Sequence, residues 1–71
     1  MVEITAGQLV EVTDAFGETH RRIATGPVDP GYEFPVVWAC RAEEWEAAQA
    51  ESRDADAVPW PLEDVRVLEP A

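Results

Sequence analysis

Cys40 and His20 are the two side chains of this sequence that could act together as a nucleophile and its base. A cysteine thiolate attacks an electrophile efficiently when a neighbouring histidine accepts the thiol proton. Cys40, however, ends an apolar run, where a cysteine usually packs as a small buried hydrophobe. His20 lies in a polar stretch that has no fixed relation to Cys40. We therefore predict no catalytic residues and expect that the protein is not an enzyme.

Metal and cofactor sites find equally little support in the sequence. One cysteine and one histidine cannot supply the four ligands of a structural zinc site. Glu51, Asp54 and Asp56 lie close together, but their segment lacks the alternating ligands, the glycine and the final glutamate of a calcium-binding loop. The four glycines are too far apart to form a phosphate-binding loop. We interpret residues 54–57 as a solvated linker and predict no metal and no cofactor.

The net charge is −10, from 15 acidic and 5 basic residues. Proteins bind nucleic acids largely through Lys and Arg side chains, which displace counterions from the phosphates. A chain this acidic is repelled by DNA, RNA and anionic membranes alike. The charge predicts a partner protein with a basic surface and argues against direct binding to nucleic acid or membrane. For Arg21 and Arg22, the one basic pair, we expect ion pairs with nearby acidic side chains.

The composition predicts one folded domain over residues 1–71. It is 46% hydrophobic and includes three tryptophans, which favours a packed core over disorder. A single cysteine is typical of a reducing cytosol. The apolar run at residues 34–40 is shorter than the roughly 18 residues that span a bilayer, and the N-terminus does not resemble a signal peptide. We expect a cytoplasmic protein.

Two β-strands are predicted in the first third of the chain. Residues 8–13 alternate as in a half-buried strand, with Val10 and Val12 on the same face. A glycine-containing loop follows and leads to a second, more polar strand at residues 19–24. In that strand we predict that Ile23 faces inwards.

A turn and a third strand follow. Pro30 and Gly31 fit the central positions of a type II turn, in which the glycine takes a positive φ. Residues 34–40 are apolar on both faces, which predicts a strand that is covered on both sides. Pro35 has no N–H, so it belongs at the start of that strand or on an edge.

The periodicity then changes to that of a helix, at residues 41–53. One face of this helix carries four spaced residues, and acidic residues in its first turns match the helix dipole. These four residues are Ala42, Trp45, Ala48 and Gln49. We expect Trp45 to anchor the helix over the outer face of the third strand. Residues 59–61 are predicted to be extended, residues 62–64 to form one helical turn and residues 65–68 to form the last strand.

This order of elements resembles the SH3-like small β-barrels. The opening strand would be Gly-Gln-Leu-Val-Glu-Val at residues 7–12, and Leu-Glu-Asp-Val-Arg-Val at residues 62–67 would be the helical turn and closing strand. The resemblance implies a mainly β fold, an SH3-like barrel with one α-helix inserted before the last strand. The helix would replace the distal hairpin, and the aromatic motifs of a proline-peptide groove are absent, so no ligand is implied. The chain is also similar to small acidic proteins of GC-rich bacteria (actinobacteria) and their phages.

Binding to a partner protein is the function that we predict, with Trp60 as one candidate contact. Trp60 lies between two prolines and either packs across the mouth of the barrel or is exposed as a binding anchor. Tyr32 and Phe34 would extend an exposed patch. The resemblance also implies binding through the first long loop, where Asp14 and Glu18 would favour a basic partner.

The alternative hypothesis is a decoy inhibitor that imitates nucleic acid and blocks a DNA- or RNA-binding protein, a role that would suit a phage-encoded regulator. Its charges would come from Glu43, Glu44 and Glu46 on the helix, followed by Glu51, Asp54 and Asp56. Such a mimic needs carboxylates in rows on one face, whereas an acidic helix is more commonly just a soluble one. Self-association into a homodimer through the exposed edges of the sheet is also open.

Overall fold

The computed structural model describes residues 3–68. The β-strands of this range are β1 (Leu9–Thr13), β2 (Thr19–Ala24), β3 (Val36–Cys40), β4 (Val58–Pro61) and β5 (Val65–Val67). One α-helix, α1 (Ala42–Glu51), lies between β3 and β4, and one 3₁₀ turn (Leu62–Asp64) joins β4 to β5. The predicted strands, helix and helical turn are all confirmed, and the extended segment around Trp60 is itself a strand.

The five strands form one antiparallel sheet in the order β4-β3-β2-β1-β5. The first four strands follow one another as a meander, and β5 returns to pair with β1. The mainly β fold is thus confirmed. Among residues 3–68, β4 pairs with β3 and β5 pairs with β1, so the sheet remains open between its two edge strands.

The core lies on one face of this sheet. Val10, Val12 and Val37 are fully buried, with Ile4, Ala24 and Ala39 packed around them. Partly buried hydrophobic side chains pack against this cluster: Val28, Trp60, Leu62, Val65 and Val67. The alternation predicted for the first strand is therefore confirmed.

The prediction for Ile23 is wrong. The register places Val10 opposite Arg22, so Arg22 and Ala24 share the core face of β2. Ile23 points to the other face, where it pairs with Leu9 and Cys40 and is half-buried. The fully buried residue of this strand is Ala24.

Strand β3 is covered on both faces, as predicted, because four of its five residues are buried. Pro35 directly precedes the strand. Helix α1 was predicted to lie over this strand, but its main contacts with the sheet are to β2. The indole of Trp45 lies over Gly7, where an added Cβ would be 3.4 Å from Cζ2 of the ring.

Helix α1 is shorter than predicted. It ends where Ser52 takes a left-handed conformation with φ 55°. The N–H of Ser52 bonds to the carbonyl of Gln49 (3.3 Å) and that of Arg53 to the carbonyl of Ala48 (3.0 Å). This pair of bonds is a Schellman motif, which terminates the helix. Of the predicted packing face, Ala48 is buried, Trp45 is half-buried, and the remaining two residues are exposed.

Within residues 3–68 we find no helix with both the length and the apolar character required for a membrane crossing.

Candidate protein-binding surface

Residues 30–35 form a short lobe between β2 and β3, which we call the aromatic lobe. Its base is closed by Asp29 and Val36, which exchange two backbone hydrogen bonds of 2.8 and 3.0 Å. A narrow antiparallel pair at the base restricts the freedom of the residues between its ends. The lobe is thus a defined projection of the sheet.

The side chain of Asp29 ties the aromatic lobe to β3. Its Oδ1 accepts the N–H of Gly31 at 2.8 Å, and its Oδ2 accepts the indole Nε1–H of Trp38 at 3.1 Å. Asp29 therefore fixes the lobe with both its backbone and its carboxylate.

The predicted type II turn at Pro30 and Gly31 is wrong. A glycine is required at position 31 because a side chain there would meet the carboxylate of Asp29. The glycines with a positive φ are Gly7 and Gly17, whereas Gly31 does not have one. A Cβ at Gly31 would lie only 3.0 Å from Oδ1 of Asp29, the oxygen that accepts the Gly31 N–H. The carboxylate replaces the turn hydrogen bond, and the close approach of backbone to carboxylate requires the glycine.

The lobe displays two large aromatic side chains. Tyr32 is 51% exposed and Phe34 is 52% exposed. The ring of Tyr32 lies 6.2 Å from the ring of Trp38, centroid to centroid, at a tilt of 52°. Because the Asp29 carboxylate also holds the indole of Trp38, Tyr32 rests on a fixed support.

A cleft of about 360 Å³ lies beside Phe34 and is walled by Pro35, Pro61 and Leu62. We call it the lobe cleft. Its two sides are joined by a hydrogen bond from the N–H of Leu62 to the carbonyl of Pro35, at 2.9 Å. These three walls are apolar, which suits the cleft to receive an apolar side chain.

Two carboxylates stand at this surface. Glu33 is part of the aromatic lobe and Glu63 lines the lobe cleft, and both are exposed. Among residues 3–68, neither carboxylate forms an ion pair with an arginine or histidine. An apolar surface with free negative charge at its margin results.

Trp60 is a separate feature. It is half-buried, pairs with Val37 across β3 and β4, and packs against the core. The two predicted positions of Trp60 were across the mouth of a barrel and exposed as a binding anchor; in the open sheet its side chain is half-buried against the core. The exposed patch that contains Tyr32 is therefore built with Trp38 in place of Trp60.

Asp14 makes structural contacts within the first long loop, and its role in partner binding stays a prediction. Its Oδ1 accepts the N–H groups of Phe16 (2.9 Å) and Glu18 (3.0 Å), and its Oδ2 lies 2.8 Å from Nε2 of His20. The hydrogen bond with His20 is the largest cause that lowers the pKa of Asp14. The carboxylate is therefore engaged in holding the loop, and Phe16, at its tip, is 91% exposed.

Sequence reasoning did not select Phe16. The Asp14-x-x-Gly17 spacing is a turn signal, and it would have placed Phe16 at a loop tip. Gly17 does take a positive φ of 82° there.

Ligand atoms of Asp14, Glu18 and His20 lie within 4.8 Å of one another, which is the spacing of a cation site. Carboxylate and imidazole groups are suitable ligands for a divalent transition metal. However, the loop and the imidazole already engage both oxygens of Asp14. The need to close the loop accounts for this grouping without a metal.

The helix acids are partly neutralised within the chain. The carboxylate of Glu44 binds Arg53 at 2.6 and 3.2 Å and accepts the N–H of Asp56 at 2.8 Å. These contacts, with the Arg53 bond first, lower the pKa of Glu44 to about 2. Glu51 also pairs with Arg53, at 3.1 Å. Glu43 and Glu46 remain exposed.

Cys40 and His20 are not brought together. Cys40 is buried opposite Ile23, three residues along β2 from His20, which instead contacts Asp14. Burial raises the pKa of the Cys40 thiol, and the charge of Glu44 raises it further. A thiol of this kind is a poor nucleophile at neutral pH.

The ion pairs expected for Arg21 and Arg22 do not form with any carboxylate in the described range, residues 3–68. Instead, Nη1 of Arg22 donates to the carbonyl of Arg21 at 2.8 Å. Glu11, the cross-strand neighbour of Arg21, pairs with Arg66 at 2.8 Å instead.

The β4 edge of the sheet is poorly suited to pairing with another strand. Neighbouring residues of a strand direct their N–H groups to opposite sides, and Leu62 directs its N–H inward to Pro35. The outward positions of β4 are therefore Pro59 and Pro61, which have no N–H. On the other edge, the N–H of Val65 is bonded to the carbonyl of Leu62. The β5 edge keeps the outward N–H of Val67, because the N–H of the next residue, Leu68, points inward to Leu9.

No protein-family model, curated protein or solved structure matches this chain. A functional assignment therefore depends on the geometry of the surfaces described above.

Proposed function

We propose that the protein is an interaction domain that binds a partner protein through the aromatic lobe and the lobe cleft. The observation that carries this proposal is the pair of half-exposed rings, Tyr32 and Phe34, on a lobe anchored by Asp29. Aromatic side chains dominate the energetics of protein interfaces because they bury a large area with few rotatable bonds.

The rigidity of the lobe supports this role. Ordering a flexible loop on binding has an entropic cost that reduces affinity. In the aromatic lobe this entropic cost is small, because the lobe is already ordered before binding. Asp29 closes its base and holds the indole of Trp38, on which Tyr32 lies. Exposed rings on an ordered support are suited to binding and have no evident role in the core.

The charge distribution supports a basic partner. Glu33 and Glu63 add free carboxylates at the margin of an apolar surface, and the whole chain has a net charge of −10. Complementary charge steers encounter and selects among partners. We expect the partner to present an apolar side chain flanked by Lys or Arg, and we expect the encounter to take place in the cytoplasm.

The alternative of a nucleic-acid mimic has weaker support. A mimic needs its carboxylates free and in rows. Arg53 engages Glu44 and Glu51, which are two of the six acids that the hypothesis requires.

For the fold, we infer membership of the SH3-like small β-barrels. The support is the meander of four strands, the return of β5 to β1 and the 3₁₀ turn between β4 and β5. Closure of a barrel would require contact between the β4 and β5 edges.

A peptide-display selection on the purified domain tests the proposed function. The variant is Phe34→Ser, and the matched control is Phe16→Ser, which removes an exposed ring far from the lobe. We expect selected peptides to combine an apolar side chain with Lys or Arg. Their affinity should fall about tenfold or more for Phe34→Ser, as for a hot-spot residue, and change less than about twofold for Phe16→Ser. An empty selection, or peptides that bind Phe34→Ser as tightly as the parent domain, would overturn the proposal.

A further inference from the structure

A second cavity, of about 370 Å³, lies on the core side of the sheet near the start of α1. Its apolar wall is formed by Ala39, Val58 and Trp60, and the side chains of Arg22 and Arg41 line it as well. We call it the arginine cavity. It shares no lining residue with the lobe cleft, so it is independent of the function proposed above.

The two arginines of this cavity lie at the same end of the β2–β3 pair, where Arg22 is half-buried and Arg41 is exposed. The register pairs Ala24 with Ala39 and Ile23 with Cys40, so the next position places Arg22 opposite Arg41. Arg41 retains an extended conformation, with φ −72° and ψ 153°, which continues the geometry of β3. Like charges directly opposite one another on a sheet are destabilising.

Nothing in the described part of the chain compensates this repulsion directly. Within residues 3–68, neither Arg22 nor Arg41 forms an ion pair. The one hydrogen bond from the Arg22 guanidinium goes to a neutral acceptor, the carbonyl of Arg21. Two arginines that line a mainly apolar cavity and form no ion pair within residues 3–68 are complementary to an anion with an apolar body.

Three carboxylates also line the arginine cavity, and they limit the charge of the ligand. Glu44 is engaged by the N–H of Asp56 and by Arg53, which also pairs with Glu51, so its charge is balanced in part within the chain. Glu43 and Asp56 are exposed. Their negative charge disfavours a dianion such as a phosphate more strongly than a singly charged carboxylate.

We infer that the arginine cavity binds a carboxylate attached to an apolar or aromatic group. The guanidinium groups of Arg22 and Arg41 bind the carboxylate oxygens, since the planar guanidinium matches the geometry of a carboxylate. The apolar group lies against Val58 and Trp60. Such a ligand is either a small organic acid or the C-terminal carboxylate of a polypeptide that ends in an apolar residue.

Titration with 3-phenylpropionate, followed by ¹H–¹⁵N NMR, tests this inference. The neutral control ligand is 3-phenylpropanol, which has the same apolar body without the charge. The variants are Arg22→Gln and Arg41→Gln, and the matched control is Arg21→Gln, which removes an equal charge from the opposite face of β2. The amide spectrum of each variant verifies that it folds.

We expect shifts at Ala39, Arg41 and the Trp60 indole, with an affinity in about the millimolar range for so small a probe. Arg22→Gln should weaken binding about tenfold or more, since a hydrogen bond to a charged group is lost, and Arg21→Gln should weaken it less than about twofold. The alcohol should produce much smaller shifts. Equal shifts with the alcohol, equal losses in Arg21→Gln and Arg22→Gln, or no shift with the acid would overturn the inference.

The source of the carboxylate is distinguished with a short peptide that ends in Phe. Tighter binding with a free C-terminus than with an amidated one identifies a polypeptide end as the ligand. If the peptide binds no better than 3-phenylpropionate, the ligand is a small organic acid.

Discussion

The indole Nε1–H of Trp38 donates a hydrogen bond of 3.1 Å to Oδ2 of Asp29. This bond joins the β2–β3 connection to the middle of β3, and the ring of Tyr32 lies 6.2 Å from the indole that it holds, centroid to centroid. The same carboxylate accepts the N–H of Gly31, so one side chain determines both the turn and the aromatic support. The order of the proposed binding surface therefore depends on Asp29.

Replacement of Asp29 by alanine should loosen the aromatic lobe. Asp29→Ala removes two hydrogen bonds from the carboxylate, which should lower the free energy of unfolding by about 1–3 kcal/mol. It should also weaken partner binding, because the lobe would then be ordered only on binding. Urea denaturation and the NMR line widths of Tyr32 and Phe34 measure these effects.

Asp29→Asn is the matched control for that variant. An asparagine keeps one carbonyl oxygen for the Gly31 N–H but presents an N–H₂ group to the Trp38 indole, which is itself a donor. We expect the free energy of unfolding of Asp29→Asn to lie between that of the parent and that of Asp29→Ala. A loss equal to that of Asp29→Ala would mean that the Gly31 bond contributes little.

Low pH should release the contact between Glu44 and Arg53. The pKa of Glu44 is lowered to about 2 from an ordinary value of 4.5, and its bond with Arg53 is the main cause. Because the folded pKa is the lower one, the stabilisation is fully present above about pH 4.5 and is lost as the pH falls towards 2. NMR titration of the Glu44 side chain measures its pKa directly.

In Arg53→Ala, the pKa of Glu44 should return towards its ordinary value, and its titration should move to higher pH. An unchanged titration curve would show that the backbone contact from Asp56, rather than Arg53, holds the carboxylate ionised.

The strands and the helix were predictable from the sequence because their signals are local. Val10 and Val12 alternate with polar residues at the period of a strand. The face of β2 was not predictable, because Ile23 is the most hydrophobic residue of a mainly polar strand and the register with β1 decides which face is buried. Hydrophobicity alone predicted that Ile23 is the buried residue of β2, whereas the pairing with β1 buries Ala24.

The candidate surface was predictable only in part. Tyr32 and Phe34 were selected as neighbours of a turn, and both are exposed. The role of Asp29 depends on a pairing with Val36 and on a contact with Trp38 nine residues away, which no local pattern encodes. Phe16 was missed because sequence alone does not distinguish an exposed phenylalanine from a buried one.

Helix α1 should become more stable when its left-handed terminal residue is replaced by glycine. Ser52 has a φ of 55°, a conformation that is unfavourable for a residue with a Cβ. Glycine removes this strain but increases the entropy of the unfolded chain, so Ser52→Gly should raise the free energy of unfolding by about 0.5–1 kcal/mol. Thermal unfolding followed by circular dichroism measures the difference. Ser52→Ala keeps the Cβ and should bring no gain.

Gly7 should tolerate no side chain, whereas Gly26 should tolerate one. Gly7 has a φ of 89°, and a Cβ there would lie 3.4 Å from the ring of Trp45. Gly7→Ala should therefore lower the free energy of unfolding by about 1–2 kcal/mol, because alanine is strained at positive φ. The matched control is Gly26→Ala, since Gly26 has no positive φ and a Cβ there meets no atom within 4 Å. Equal unfolding free energies for the two alanine variants, measured in urea, would contradict the left-handed conformation of Gly7.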